Sequence, residues 1–271
     1  MFFRNKAAVV GLFMLTSILI ITYVVPFFYT NDPFDIIAKP FLAPNSGEGP
    51  GFGTDYLGRD VLAGLINGGS ATLTVAAIAA TMTIAIGISV GAFAGYYGGW
   101  VDAVLSRLTE FFQVLPALLF AMVLVTLWGP STRTVAVAIG VVAWPGTARL
   151  TRAEFLRLKN QEFVKAQRAI GASDSRIIWR VIFPNALPPL IVSATLIIGV
   201  AILFEAGLSF LGLSDPNVWS WGQMIGSNRS YILNSWWTVT FPGLAIFVTV
   251  LSISLIGDGL QDAFNPKLRE R

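Results

Sequence analysis

The sequence predicts an all-α membrane protein of about six transmembrane helices, and three observations carry that expectation. Of the 271 residues, 55% are apolar and only 12% are charged, against roughly 25% charged in an average soluble domain; mean hydropathy is +0.70. Charged residues are also spaced so that uncharged runs long enough to cross a hydrocarbon core of about 30 Å lie between them. Finally, Lys and Arg collect in alternate connections. There are no histidines and no cysteines, which excludes Ser-His-Asp and Cys-His chemistry, Cys/His zinc sites and disulfides.

The spans follow in order. Ala7 to Asn31 is free of charge between Lys6 and Asp32. Its apolar run exceeds that of a signal peptide and no A-x-A site follows, so it reads as a retained signal anchor. The second run, Val61 to Val101, has Gly-, Asn- and Tyr-rich ends, which centres its span on Thr72–Tyr96. A third span lies in Phe111 to Thr132, and a shorter fourth in Thr134 to Ala148, where Arg133 and Arg149 can snorkel outward. Pro184, Pro188 and Pro189 place the start of the fifth near Leu190, and the sixth falls near Thr238–Ile256. The expected layout is a tip and first helix over 1–30, an extracytoplasmic segment over 31–69, a core over 70–260 and a tail over 261–271.

Orientation follows from the basic residues. With both termini cytoplasmic, only four of the eighteen Lys and Arg, namely Lys39, Arg59, Arg133 and Arg229, fall outside. The same topology puts Asp55 and Asn217 outside and Lys159 and Arg269 inside. Three long connections stand out, 149–189 inside and 30–71 and 209–237 outside. The 209–237 loop carries Trp219, Trp221, Trp236 and Trp237, and the last two mark a membrane interface.

Gly87, Gly91 and Gly95 recur at four-residue spacing on one helix face, the small-xxx-small arrangement that lets membrane helices approach closely. Contact within the chain and contact with another subunit both use it. Glu205 is an acidic group inside a span, where it costs about 3 kcal/mol or more without a partner. An isolated carboxylate makes a poor proton relay, so the residue reads as structural. On a helix starting at Leu190 it stands about 22 Å up, level with Arg59, its expected ion-pair partner.

The 149–189 segment is strongly basic. Leu150, Phe155, Leu158, Phe163, Ala166 and Ile170 recur at helical spacing, Gly171 supplies a stop that tolerates positive φ, and Ser173 or Asp174 can cap a second short helix. A basic amphipathic loop can lie on anionic lipid, bind nucleic acid or dock on a protein. No base-stacking platform or groove-reading motif supports nucleic acid. The Gly-centred bend favours a protein partner, because lipid requires no fixed bend.

Ala166, Gly171 and Pro184 stand at the spacing of the E-A-A-x3-G-x9-I-x-L-P loop, with Lys165 for the Glu, Gln167 for the second Ala, Val181 for the Ile and Phe183 for the Leu. GTDYLGRDVLAGLINGG (53–69), GYYGGWVD (95–102), ILFEAGLSFLGL (202–213), SWGQMI (220–225), FPGLAI (241–246) and GDGLQDAFNPKLR (257–269) add to it. Together these segments resemble the C-type transmembrane subunit of the dipeptide/oligopeptide/nickel ABC-importer family. The resemblance implies a type I importer permease that pairs with a B-type permease subunit around a central pathway. One or two ABC ATPase subunits would receive a coupling loop made of Phe163, Lys165, Ala166, Gln167, Ala169, Gly171, Ala172, Asp174 and Pro184. A substrate-binding protein would dock on an outer loop that includes Trp219, Trp221 and Asn228.

The chain has no G-x-x-x-x-G-K-[ST] loop to cradle phosphates. The resemblance accordingly implies that ATP and Mg2+ belong to the ATPases and that this chain holds no cofactor and no catalytic or metal-binding residue. It also implies a prokaryotic plasma (inner) membrane location. Di- and oligopeptides are the expected substrates, with nickel chelates, opines or small oligosaccharides as the alternatives within the same machinery. A membrane-embedded enzyme would require a nucleophile–base pair or a metal site, and a secondary transporter would require inverted repeats or interrupted charged helices. The sequence offers none of these.

Overall fold

The computed structural model describes residues 5–264. Arg269, and with it most of the 261–271 tail, lies outside the described residues. The helices are α1 (Lys6–Tyr23), α2 (Val61–Tyr97), α3 (Gly99–Val114), α4 (Ala117–Trp128), α5 (Thr132–Leu158), α6 (Glu162–Ala169), α7 (Asp174–Arg176), α8 (Phe183–Phe210), α9 (Trp221–Asn228) and α10 (Trp237–Phe264). Among the described residues five stretches are long and apolar enough to cross a membrane singly, and the bent pair α3–α4 makes a sixth. Helix starts are capped where the sequence places short polar side chains. Asn5 accepts from the Ala8 amide, Asp60 from Leu62, Ser131 from Thr134 and Ser220 from Gln223, each satisfying an amide that the first turn leaves free.

Two spans depart from the sequence expectation. The third is broken: α3 and α4 meet at 86°, because Pro116 forces Leu115 out of the helical region, to φ −75° and ψ 129°. The fifth does not begin near Leu190. α7, a π turn over Ile177–Ile182 and α8 run on as one 37-residue helix, Asp174–Phe210, with Pro184, Pro188 and Pro189 inside it. In the π turn the Phe183 amide reaches back to the Ile178 carbonyl. The missing Pro184 amide thus falls where the bonding pattern changes, and the Asn185 side chain donates to the Val181 carbonyl beside it at 2.7 Å. The short fourth span is the first part of a longer helix, since α5 continues through Arg149, Arg152 and Arg157.

Asn5 Nδ2 donates to Asp262 Oδ2 at 2.7 Å, which sets the start of α1 beside the end of α10. This is the near end of the bundle, and it also holds the turn after α2 and the α5–α8 connection. α2 and α5 form the central seam. A Cβ on Gly87 would stand 2.4 Å from Thr147 Cβ, one on Gly91 2.3 Å from the Ala148 carbonyl oxygen, and one on Gly95 2.7 Å from Phe155 Cβ. The glycine triad is therefore spent on a helix contact within the chain.

Among the described residues, buried apolar side chains form two clusters. The larger joins α2, α4, α5, α8 and α10 through residues such as Val75, Ala79, Val125, Ile139, Ile202 and Ile246. The smaller, at the near end, joins Ala92 and Tyr96 of α2 to Phe155, Leu158, Val164, Ile177, Ile178, Ile182, Ala186 and Leu190.

At the far end, residues 24–60 fold over the bundle without long helices. Asp55 accepts from the amides of Leu57 and Arg59 and from Arg59 Nε, the last at 2.7 Å. Gly58, at φ +88°, lies so close to the Ala38 carbonyl that a Cβ would be 2.1 Å from its oxygen. Tyr29 donates to Asp60, and burial together with that carboxylate pushes its phenol up to about 12.

Candidate coupling site at the near end

The α5–α8 connection is a rigid bracket. α6 buries one residue, Val164, in the near-end cluster, while Phe163, Lys165, Ala166, Ala169 and Ile170 are exposed on it and Gln167 is half-buried. Gly171 sits at φ +79°. Its amide donates to the Arg168 carbonyl and that of Ala172 to the Gln167 carbonyl, both at 3.0 Å, the two bonds of a Schellman stop. A residue with a side chain is strained at that φ, although the space around Gly171 is open.

Ser173 takes the cap position of α7 but its side chain makes no cap bond. Asp174, expected as an alternative cap, is used elsewhere: its Oδ1 accepts from Tyr96 Oη at 2.5 Å. The Arg168 guanidinium stands 5.3 Å from the centre of the same Tyr96 ring, within cation–π range. Lys159 Nζ donates to the Gly95 carbonyl at 2.8 Å. Arg152 grips Asp102 through two bonds of 2.5 and 2.7 Å, the bidentate geometry that gives an Arg–carboxylate pair its directionality. Pro184 lies exposed at the start of α8. The last turn of α2 is thus clamped to both arms of the bracket, and α5 to α3.

Sequence reasoning missed Tyr96, Lys159, Arg152 and Asp102. The signal was the Gly-Tyr-Tyr-Gly-Gly run at the end of α2, where an amphipathic phenol stands next to backbone that a basic side chain can reach.

Two far-end expectations are corrected. The Glu205–Arg59 ion pair does not form. Arg59 pairs with Asp55 four residues away and lies 4.3 Å from the centre of the Trp219 ring, while Glu205 Oε1 accepts from Ser209 Oγ at 2.7 Å, one turn on. The short loop closure makes the local partner the cheaper one for Arg59. Trp219, Trp221 and Asn228 are not presented for docking; all three are buried. Trp221 donates its indole N–H to the Leu65 carbonyl and Asn228 its amide to the Met224 carbonyl, as expected of large amphipathic side chains that find a partner when buried. Leu233, 95% exposed, and Trp236 stand out in their place.

The geometry defines a class first: a multi-span helical membrane protein in which one 37-residue helical run, Asp174–Phe210, starts in an exposed, clamped bracket. The chain belongs to the binding-protein-dependent transport system inner membrane component family, whose model matches residues 87–270. A second model, the N-terminal TM domain of oligopeptide transport permease C, matches residues 1–46. The chain is 38% identical to the dipeptide transport system permease protein DppC of Alkalihalophilus pseudofirmus, over 98% of this chain and 88% of that one. It is also 38% identical to the di/tripeptide transport system permease protein DppC of Pseudomonas aeruginosa, over 99% and 90%.

Among solved structures it resembles a chain of the MetNI methionine ABC transporter in an inward-facing conformation. The TM-score is 0.63 at 21% identity, covering 74% of this chain and 96% of that chain. That likeness bears on the fold alone, a type I ABC-importer permease fold. The chain is a multi-pass inner-membrane transport permease and not an enzyme.

Proposed function

We propose that the chain imports di- and oligopeptides as the C-type subunit of an ATP-driven permease, paired with a B-type subunit around the pathway. One or two ATPase subunits hold the ATP and Mg2+, the bracket docks on them, and an extracytoplasmic binding protein delivers substrate at the far end. Core 70–260 does the transporting, with 31–69 as an extracytoplasmic cover. Peptides are favoured over nickel chelates, opines and oligosaccharides because the relatives are named for dipeptide or di/tripeptide transport.

The observation that carries the mechanical part is the unbroken helix from Asp174 to Phe210. A helix rising 1.5 Å per residue transmits a push at its bracket end along its axis, and the Tyr96–Asp174 bond hands part of that push to α2. The exposed face with Phe163, Ala166, Ala169 and Ile170 is apolar and small enough for close packing against a partner.

The test uses the absence of native cysteine. Ala166→Cys in the assembled complex is expected to cross-link to an ATPase subunit, with yield that changes on ATP addition, in vesicles that take up a labelled dipeptide. Failure of both Ala166→Cys and Phe163→Cys to cross-link in a complex that transports would overturn the docking assignment. Orientation has its own check: Asn217→Cys is expected to react with an impermeant thiol reagent in sealed cells and Asn160→Cys only after permeabilisation. The reverse pattern would invert the topology.

A further inference from the structure

Glu205 is the one carboxylate deep in a span that the proposed coupling route does not use. It is 2% exposed. Oε1 accepts from Ser209, and the hydroxyls of Thr72 and Ser220 face the same carboxyl, yet Oε2 has no hydrogen-bond partner. It lines a cavity with room for one water-sized occupant, about 10 Å3. The polar lining is Thr132, Glu205, Ser209, Ser214, Asp215 and Ser220, the rest being alanine and valine, with no Lys or Arg. Asp215 Oδ1 is engaged by the Asn217 amide at 3.0 Å, and its side of the cavity is half-exposed, which gives a path in from the far-end solvent.

Two carboxylates and three serine hydroxyls around so small a space, with no basic side chain, leave negative charge uncompensated. A proton on Oε2 would neutralise Glu205 and bond a neighbouring hydroxyl, but it would leave Asp215 without a counter-charge at the cavity. A cation answers both carboxylates at once. We propose that this cavity binds a small hard cation of the Na+ or Ca2+ kind, held by Glu205 Oε2, Asp215 and the serine hydroxyls. An all-oxygen donor set selects hard ions over transition metals. The ion ties the far end of α8 to the 211–220 loop leading into α9, independently of which substrate is carried.

The test is direct ion binding to the purified full-length chain in detergent. After chelator treatment in choline chloride, NaCl, KCl, CaCl2 and MgCl2 are titrated separately. Thermal unfolding and bound 22Na+ or 45Ca2+ are read for each. Na+ or Ca2+ is expected to raise Tm by about 4 °C or more at saturation, with one ion per chain. Glu205→Gln and Asp215→Asn are each expected to weaken that binding at least tenfold. If Glu205→Gln fails to fold, the half-exposed Asp215→Asn still carries the comparison. No ion-specific rise in the unsubstituted chain overturns the proposal and assigns Glu205 a proton. A rise that survives both substitutions overturns it too, because the ion then sits elsewhere.

Discussion

Gly91→Leu is expected to abolish folded protein, while Gly146→Ala, on the helix it packs against, leaves stability unchanged or slightly raised. A Cβ at Gly91 falls 2.3 Å from the Ala148 carbonyl oxygen, 2.6 Å from Thr151 Cβ and 2.9 Å from the Arg152 amide nitrogen. Two of these three are backbone atoms of α5, so no rotamer change relieves the contact and the helices must separate. Overpacking of this kind costs about 3 kcal/mol or more. Separation also threatens the Arg152–Asp102 grip and the Lys159 bond to Gly95, which lie along the same seam. Gly146 faces open space in a helical conformation, where Ala gains about 0.5–1 kcal/mol over Gly. Detergent-solubilised yield and Tm of the two variants measure the contrast. A Gly91→Leu chain with native Tm would refute the α2–α5 seam.

Gly171→Leu has the second large effect, on coupling. The added side chain meets nothing within 4 Å, so bulk is not the problem; φ +79° is. Holding a non-Gly residue there costs about 1–3 kcal/mol, a strain that the bracket relieves by opening the Schellman stop. The spans are untouched, so insertion and pairing with the B-type subunit are expected to survive. Uptake per ATP hydrolysed is expected to fall at least tenfold in a reconstituted complex. Asn tolerates the left-handed region, so Gly171→Asn is expected to keep most of the coupling. That rescue separates a backbone requirement from a packing one. A fully coupled Gly171→Leu complex would sink the mechanical assignment.

Much of this architecture was legible because bilayer physics writes it into spacing. Uncharged runs located six spans, the glycine triad marked a close seam, and Gly171 marked the bracket's bend. What was hidden depended on neighbours in space. Pro184, Pro188 and Pro189 suggest a helix start, yet a π turn before them lets one helix run from Asp174 onward. Nothing in the local sequence separates a π turn from an α turn. Arg59 looked like a partner for Glu205 when ranked by depth, but Asp55 one turn away meets its Nε at 2.7 Å. Trp219 and Trp221 looked like docking residues and proved to be the loop's packing, Trp221 with its indole N–H on the Leu65 carbonyl. Tyr96 and Asp174, far apart in sequence, carried no pairwise signal at all.

The two apolar clusters share helices but no side chain. The near-end cluster is completed by Ala92, Tyr96 and Leu190, contributed from outside the 149–189 segment. If the bracket docks as proposed, partner choice is heritable as a cassette with two parts. A chimera that swaps the bracket alone mismatches Val164, Ile177 and Ile178 against a foreign α2, whereas one that extends the bracket to Leu190 and swaps the last two turns of α2 with it carries a complete miniature core. On the proposed docking, selection for a new ATPase would act on that pair of segments as a unit and leave the far-end machinery free to drift on its own.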